Sequence, residues 1–400
     1  MSFPRLVCLS AVLLITTSSI AIAQHDGGVT GGGMIGGSTS RPTTKPTTKP
    51  ANKPTSTTPT TTRRRPAPTT KRPATTTPTT TTANANIYYQ QGEALYSQKK
   101  YREALDQYLK ATEINPSMSS SLYRIGWIYN DLEDYNSAVD PLKRVLAMQP
   151  NNAAAQFELG YAYKKLERYS EAFTAFTRTV SIEPDNAAAH YELGWIQNEQ
   201  KNYNDALKSL RTALSYRSNY PDAQNEIGYA LRNLGRYPEA IQAYQEAIRM
   251  NPNMGLAHLG LGDVYYYNTK NYSQAANSYK RGLELRPGNA TAQYNLGWCY
   301  NDLERFTEAA EELRKAIQIR PNYPEAHNEL GYALHQLSRF QEAIQQYMIA
   351  IQQKTDYASA HYNLAMSFLA VNNRNGALQQ YRILQRIDSA RATKLFNQIK

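Results

Sequence analysis

"ELGWIQNEQKNYNDAL" (Glu192–Leu207) sets a Leu-Gly pair before a tryptophan and an alanine twelve residues after the glycine. The chain has three tryptophans, and the other two stand in "IGWIYNDL" (Ile125–Leu132) and "LGWCYNDL" (Leu296–Leu303). Working outward, the same small residue recurs at Gly92, Gly126, Gly160, Gly194, Gly228, Gly262, Gly297, Gly331 and Ala365. Every interval is 34 residues except the 35 between Gly262 and Gly297. The alanine follows at Ala104, Ala138, Ala172, Ala206, Ala240, Ala309, Ala343 and Ala377. In the sixth unit Ala275 comes one residue late, which locates the insertion in "VYYYNTKNY" (264–272). Proline closes most units, with Ser218 and Thr355 in its place in the fourth and eighth. Small side chains at the eighth and twentieth positions let two helices approach closely, and the proline ends the second helix.

A 34-residue period with this signature resembles the tetratricopeptide (TPR) repeat family. The resemblance covers nine units in register: 85–118, 119–152, 153–186, 187–220, 221–254, 255–289, 290–323, 324–357 and 358–389. It implies an all-α, right-handed superhelical solenoid of antiparallel helix pairs, and residues 390–400 read as a helix capping the last apolar face. Two departures stand out. Pro141 falls inside the second helix of unit two, where the missing N–H should kink it. Unit six carries the extra residue and Asp263 where its neighbours have an aromatic. Units also alternate in pairs: position 9 is Trp127, Tyr161, Trp195, Tyr229, then Trp298 and Tyr332, while position 24 alternates Leu with Phe or Tyr.

At about 100° per residue, positions 7, 11 and 14 of the first helix form one stripe, as in Leu159, Tyr163 and Leu166. Positions 5, 9 and 12 form the opposite one. The TPR resemblance implies that this second stripe, with positions 2, 6 and 13, lines a concave groove. The candidate groove residues are Tyr123, Trp127, Asn130, Phe157, Tyr161, Tyr191, Trp195, Asn198, Tyr229, Tyr294, Trp298, Asn301 and Tyr332. Two readings of the aromatics stand side by side. They contact a partner, as runs of exposed aromatics do, or they fill the seam against the next unit's first helix. A row of asparagines offers donors and acceptors to an extended peptide, as in the similar, asparagine-lined repeats of O-GlcNAc transferases. Glu158, Glu192, Glu226 and Glu329 at position 6 add a mildly acidic line. The lysine and asparagine pattern of TPR clamps for C-terminal carboxylates is absent, because position 5 is mostly tyrosine.

Nothing in the sequence asks for catalysis or a cofactor. His190, His258, His327 and His361 all occupy position 4, one per unit, too far apart to share a metal. Cys299 stands where other units have Ala, Ile or Val, a small core position. Sequons at Asn271 and Asn289 matter only in a eukaryotic secretory pathway. No phosphate-binding loop, nucleophile elbow or metal-ligand cluster appears, and no spare segment is left for a catalytic domain.

The first 84 residues are of another kind. Residues 1–23 have a charged start, an apolar run and Ala21-Ile22-Ala23, the layout of a secretory signal cleaved after Ala23, with an uncleaved membrane anchor as the rival reading. Cys8 lies within the apolar run, which argues against a lipid-anchored N-terminal cysteine. Residues 24–84 read as a linker, first Gly-rich, then Thr/Pro with regular Lys/Arg, unable to bury a core and favouring extended polyproline II. Residues 1–84 hold ten Lys/Arg against one acid, +9 of the chain's +11, which leaves +2 for residues 85–400. That near-neutral balance argues against nucleic-acid binding by the repeats.

These features predict an exported, non-enzymatic scaffold that grips a protein or extended peptide in an aromatic and Asn-lined groove. A carbohydrate-binding or envelope-associated module is the alternative, since aromatic faces stack on sugars and the basic linker suits an anionic polymer. An accessory role in protein glycosylation is a remote third reading.

Overall fold

A computed structural model describes residues 80–400, with side chains from Ala83 onward. The expected signal segment and most of the linker lie outside these residues. The described chain is helical throughout and forms nine antiparallel pairs. They are α1 (Thr80–Ser97) with α2 (Tyr101–Ile114), α3 (Ser119–Asp131) with α4 (Tyr135–Met148), and α5 (Ala153–Lys165) with α6 (Tyr169–Ile182). Next come α7 (Ala187–Glu199) with α8 (Tyr203–Tyr216) and α9 (Pro221–Asn233) with α10 (Tyr237–Met250). The sixth first helix is α11 (Gly255–Asp263), continued by a π-helical turn Val264–Asn268 and paired with α12 (Tyr272–Leu285). The series ends with α13 (Ala290–Asp302) and α14 (Phe306–Ile319), α15 (Pro324–Gln336) and α16 (Phe340–Gln353), then α17 (Ala358–Ala370) and α18 (Arg374–Ile387). A last helix, α19 (Ser389–Ile399), buries Ala392, Leu395 and Ile399 against the ninth pair, as a cap must.

Helix α1 starts at Thr80, five residues ahead of residue 85, where the first repeat unit begins. The linker's last proline is Pro78, so nothing between it and α1 removes a donor or bars the helical region, and Ala83 and Ala85 favour a helix. Pro141 does not break α4, which runs its full length with Pro141 buried. The extra residue of unit six is absorbed where expected. A single-turn π insertion is how a helix accommodates one more residue without losing register downstream.

Each unit is set by a few local rules. Asn152, Asn186 and Asn289 cap their helices by accepting from the N–H three residues on, each at 2.9 Å. Pro221 and Pro324 take the first helical position, where no donor is missed. The turn inside each pair needs one left-handed residue. It is non-glycine in eight units, for example Glu304 at φ 58°, and Gly235 at φ 75° in the fifth.

The close approach comes from the glycine. A Cβ on Gly194 would lie 2.5 Å from Leu210 Cγ, and one on Gly160 2.9 Å from the Phe176 ring. Position 24 therefore fills the space that position 8 leaves empty. The twentieth-position alanines, from Ala104 to Ala377, are wholly buried beside it.

Candidate functional site: the inner face of the first helices

Successive first helices touch one another directly, α3 with α5, α7 with α9 and α13 with α15. Side chains on this face are thus shared between units, and two ladders cross the seams.

The first ladder is aromatic. The opening residue of six of the second helices meets position 9 of the next unit edge-on, 26 residues further along the chain. Tyr101 meets Trp127 at 5.8 Å, Tyr135 meets Tyr161 at 6.2 Å, and Tyr169 meets Trp195 at 5.8 Å between ring centroids. Tyr203 meets Tyr229 at 6.3 Å, Tyr272 meets Trp298 at 5.4 Å, and Phe306 meets Tyr332 at 6.1 Å. Edge-to-face pairs at such distances add to the burial that already stabilises each seam. Position 5 packs differently: Phe157 on Phe176 of its own unit, Tyr191 on Tyr220 and Tyr294 on Tyr323 in the loop that follows.

The second ladder is polar and spans 28 residues, from position 12 of one unit to position 6 of the next. Asn130 Nδ2 donates to both the main-chain carbonyl and the carboxylate of Glu158 at 2.9 Å. Asn198 does the same to Glu226 at 3.1 and 2.9 Å, and Asn301 to Glu329 at 3.2 Å. In unit three Lys164 takes the asparagine's place, pairing with Glu192 at 2.5 Å and sitting 4.3 Å from the centre of the Trp195 ring.

In units one and six an acid replaces the aromatic. Glu93 at position 9 of unit one accepts from Tyr108 Oη at 2.5 Å and from Arg124 at 2.7 and 2.8 Å. Asp263 in unit six accepts from Tyr279 Oη at 2.8 Å and pairs with Arg232 at 2.5 Å. In both units a tyrosine of the second helix, Tyr108 or Tyr279, places its hydroxyl beside this acid.

The thirteen candidate groove residues therefore share one face, interrupted at unit six and knitted into the seams. Asn130, Asn198 and Asn301 are buried, and their amide nitrogens are already engaged by glutamates. Trp195 is only 7% exposed. Tyr123, Trp127, Phe157, Tyr161, Tyr191, Tyr229, Tyr294, Trp298 and Tyr332 are half-buried. The π turn adds a side chain that sequence reasoning did not single out: Tyr267, 56% exposed, with its hydroxyl 3.2 Å from Asn295 Oδ1 and its ring 4.5 Å from that of Tyr266.

Burial sets the electrostatics. Desolvation holds the Tyr191 and Tyr294 hydroxyls well above the ordinary phenol value. The Glu226 carboxyl is pushed up to about 7 by burial, against the hydrogen bond from Asn198 that lowers it. Glu199 and Asp222 are raised in the same direction, again chiefly by burial.

The position-4 histidines have a structural task that the spacing argument missed. Nε2 of His190, His258 and His361 lies 2.9, 3.1 and 3.0 Å from the carbonyl of the residue closing the preceding unit, at Pro184, Pro252 and Thr355. A donor six residues after a carbonyl that no helix uses is the signal that would have found it. Among the described residues no cluster of His, Cys, Asp or Glu is arranged to hold a metal. Cys299 is wholly buried, and burial raises its thiol to about 12, so it stays protonated and unreactive.

Architecture and seam chemistry define a helical-repeat solenoid whose inner face is a shared, aromatic surface. Tetratricopeptide repeat models match residues 85–118, 123–183, 157–224, 259–324 and 312–345, and TPR repeat models match 228–268 and 331–371. The chain belongs to the tetratricopeptide repeat family. Its fold is similar to that of YrrB, described as a TPR protein with an unusual peptide-binding site: 22% identity, 48% of this chain and 99% of that one, TM-score 0.45. It is also similar to MamA, at 24% identity over 42% of this chain and 97% of that one, TM-score 0.39. A tetratricopeptide repeat protein from Parabacteroides merdae ATCC 43184 matches at 15% identity over 63% of this chain and 99% of that one, TM-score 0.49. No curated protein matches the chain.

Proposed function

We propose that this chain is a non-enzymatic protein-interaction scaffold of an exported compartment, and that it holds extended polypeptide along the inner face of its first helices. Membership of the tetratricopeptide repeat family supports the scaffold role. The observation that carries the groove is the row of aromatics from Trp127 to Tyr332, interrupted only by Asp263 in unit six, each held edge-on by the preceding unit and all but Trp195 half-buried. Rings already held in place by the preceding unit lose little side-chain entropy on binding, which is why such surfaces serve as contact sites. Export rests on the charged, apolar and small-residue pattern of residues 1–23.

The test is selection of extended peptides on the full chain, followed by rebinding to variants. Trp127→Phe and Trp298→Phe keep the seams filled while changing the outward ring. They should weaken the selected peptides and leave melting within a few degrees. Tyr216→Ala, on the outer helix α8, should leave binding unchanged. Peptides indifferent to both inner-face variants but lost with Tyr216→Ala would move the site off this face.

A further inference from the structure

The last unit breaks a rule that the other eight keep. In those, a Cβ on the position-8 glycine would lie 2.5–2.9 Å from the nearest atom of the position-24 side chain, so the two share one space. The ninth unit has Ala365 there, and its Cβ takes that space. The position-24 residue, Tyr381, is accordingly only half-buried, whereas Tyr108, Phe176, Tyr279 and Tyr347 at the same position are fully buried. Its ring stacks on Phe396 of the capping helix, 5.5 Å between centroids and 29° between planes, and its hydroxyl accepts from Gln385 Nε2 at 2.9 Å. Phe396 is itself 38% exposed. A cap needs a polar outer face, so capping does not account for this outward pair of rings.

The charge around the pair is one-sided. Residues 374–400 hold six Lys/Arg against one acid, a net of +5, although residues 85–400 as a whole are +2, so residues 85–373 are −3. The single acid, Asp388, is taken by Arg391, and α17, which packs on both α18 and α19, carries no Lys, Arg, Asp or Glu. Arg374, Arg382 and Arg386 are exposed and have no ion-pair partner among the described residues. By contrast, Arg168, Arg236, Arg305 and Arg339 each hold the glutamate three residues on. Arg374 stands two turns before Tyr381 on the same side of α18, and Arg382 and Arg386 form the neighbouring row. On the other side Lys400 Nζ lies 4.8 Å from the centre of the Phe396 ring.

We propose that this end of the solenoid docks on a lipid surface with anionic headgroups. Arg374, Arg382 and Arg386 meet the phosphates, while Phe396 and Tyr381 lie at the level of the headgroups. Long cationic side chains reach such charge with their stems along apolar neighbours, and each gains from the negative surface potential. The rings add apolar burial, which cations alone lack. A convex pair of end helices lets a broad surface touch rings and cations together. The site is separate from the inner face and does not rest on peptide binding there.

The experiment sediments residues 24–400, which keep every described helix, with vesicles of phosphatidylcholine alone or of an equal mixture with phosphatidylglycerol. The nine linker Lys/Arg are replaced by Gln throughout, so that the linker adds no positive charge. The chain should bind the mixed vesicles and not the neutral ones, and binding should weaken with salt. Arg382→Gln/Arg386→Gln should lower partitioning about tenfold or more, and Arg382→Lys/Arg386→Lys should restore most of it. Lys280→Gln, an exposed cation on α12, should change little, and circular dichroism melts of these variants should coincide. Absence of binding to the mixed vesicles, or equal binding by the Gln double variant, overturns the proposal. Arginine-dependent binding to polyglutamate without binding to vesicles assigns the patch to an acidic polypeptide and overturns the lipid surface.

Discussion

Asn198 of the fourth unit donates through one amide to two atoms of Glu226 in the fifth, the main-chain oxygen at 3.1 Å and the carboxylate at 2.9 Å. It holds together two helices that share no loop. Asn198→Ala removes both bonds and strips a buried carboxylate of its donor, so it should cost roughly 2–3 kcal/mol. Hydrogen exchange should show the loss concentrated in α7 and α9, since neighbouring units in a repeat array exchange stability mainly with each other. An even loss over all nine pairs would contradict a local staple.

The same pair gives a pH dependence of known sign. Folding raises the Glu226 carboxyl to about 7, so the native state takes up a proton that the unfolded chain has released. Stability from this group is complete below about pH 4.5 and is lost as pH rises to about 7. Glu226→Gln removes the dependence. The variant should exceed the native protein at pH 8 by roughly 1–3 kcal/mol and match it near pH 4. Glu199 and Asp222 are raised in the same direction, so a weaker slope should persist. Urea melts at the two pH values decide it.

Gly194 and Gly235 should respond differently to alanine. At Gly194 the new Cβ meets Leu210 Cγ at 2.5 Å and the Ala206 carbonyl at 3.2 Å, so the helix pair must open, at roughly 1–3 kcal/mol. At Gly235 nothing lies within 4 Å, and only the left-handed backbone resists, at about 1 kcal/mol. Thermal melts of both variants should rank them in that order.

The turn at Glu304 offers the opposite change. Its φ of 58° strains any residue with a Cβ. Glu304→Gly should stabilise by up to about 1 kcal/mol, offset in part by the extra freedom glycine has when unfolded. A destabilised variant would show that the Glu304 side chain contributes more than its backbone strain.

Much of this architecture was legible before any coordinates. The 34-residue register put glycine at position 8 and alanine at position 20, and both pack as that spacing demands. The one-residue slip at Ala275 marked the π turn, because an insertion inside a helix has few other outlets. The seam contacts were harder to read. Tyr169 with Trp195, and Asn198 with Glu226, stand 26 and 28 residues apart. No helical period selects those separations. They follow from the rotation of one pair relative to the next.

What the sequence determined alone is the unit: its two helices, its apolar stripe and its count, because these depend on spacing within about 34 residues. Only the tertiary structure decided what the opposite stripe does. It turned the asparagines from free donors into staples, each with an unpaired buried acceptor at Asn130, Asn198 and Asn301, and anchored the tryptophans against the preceding tyrosines. The physical reason is that a side chain on a repeat's inner face is satisfied by its neighbour's backbone and rings, and their positions are fixed by packing between units.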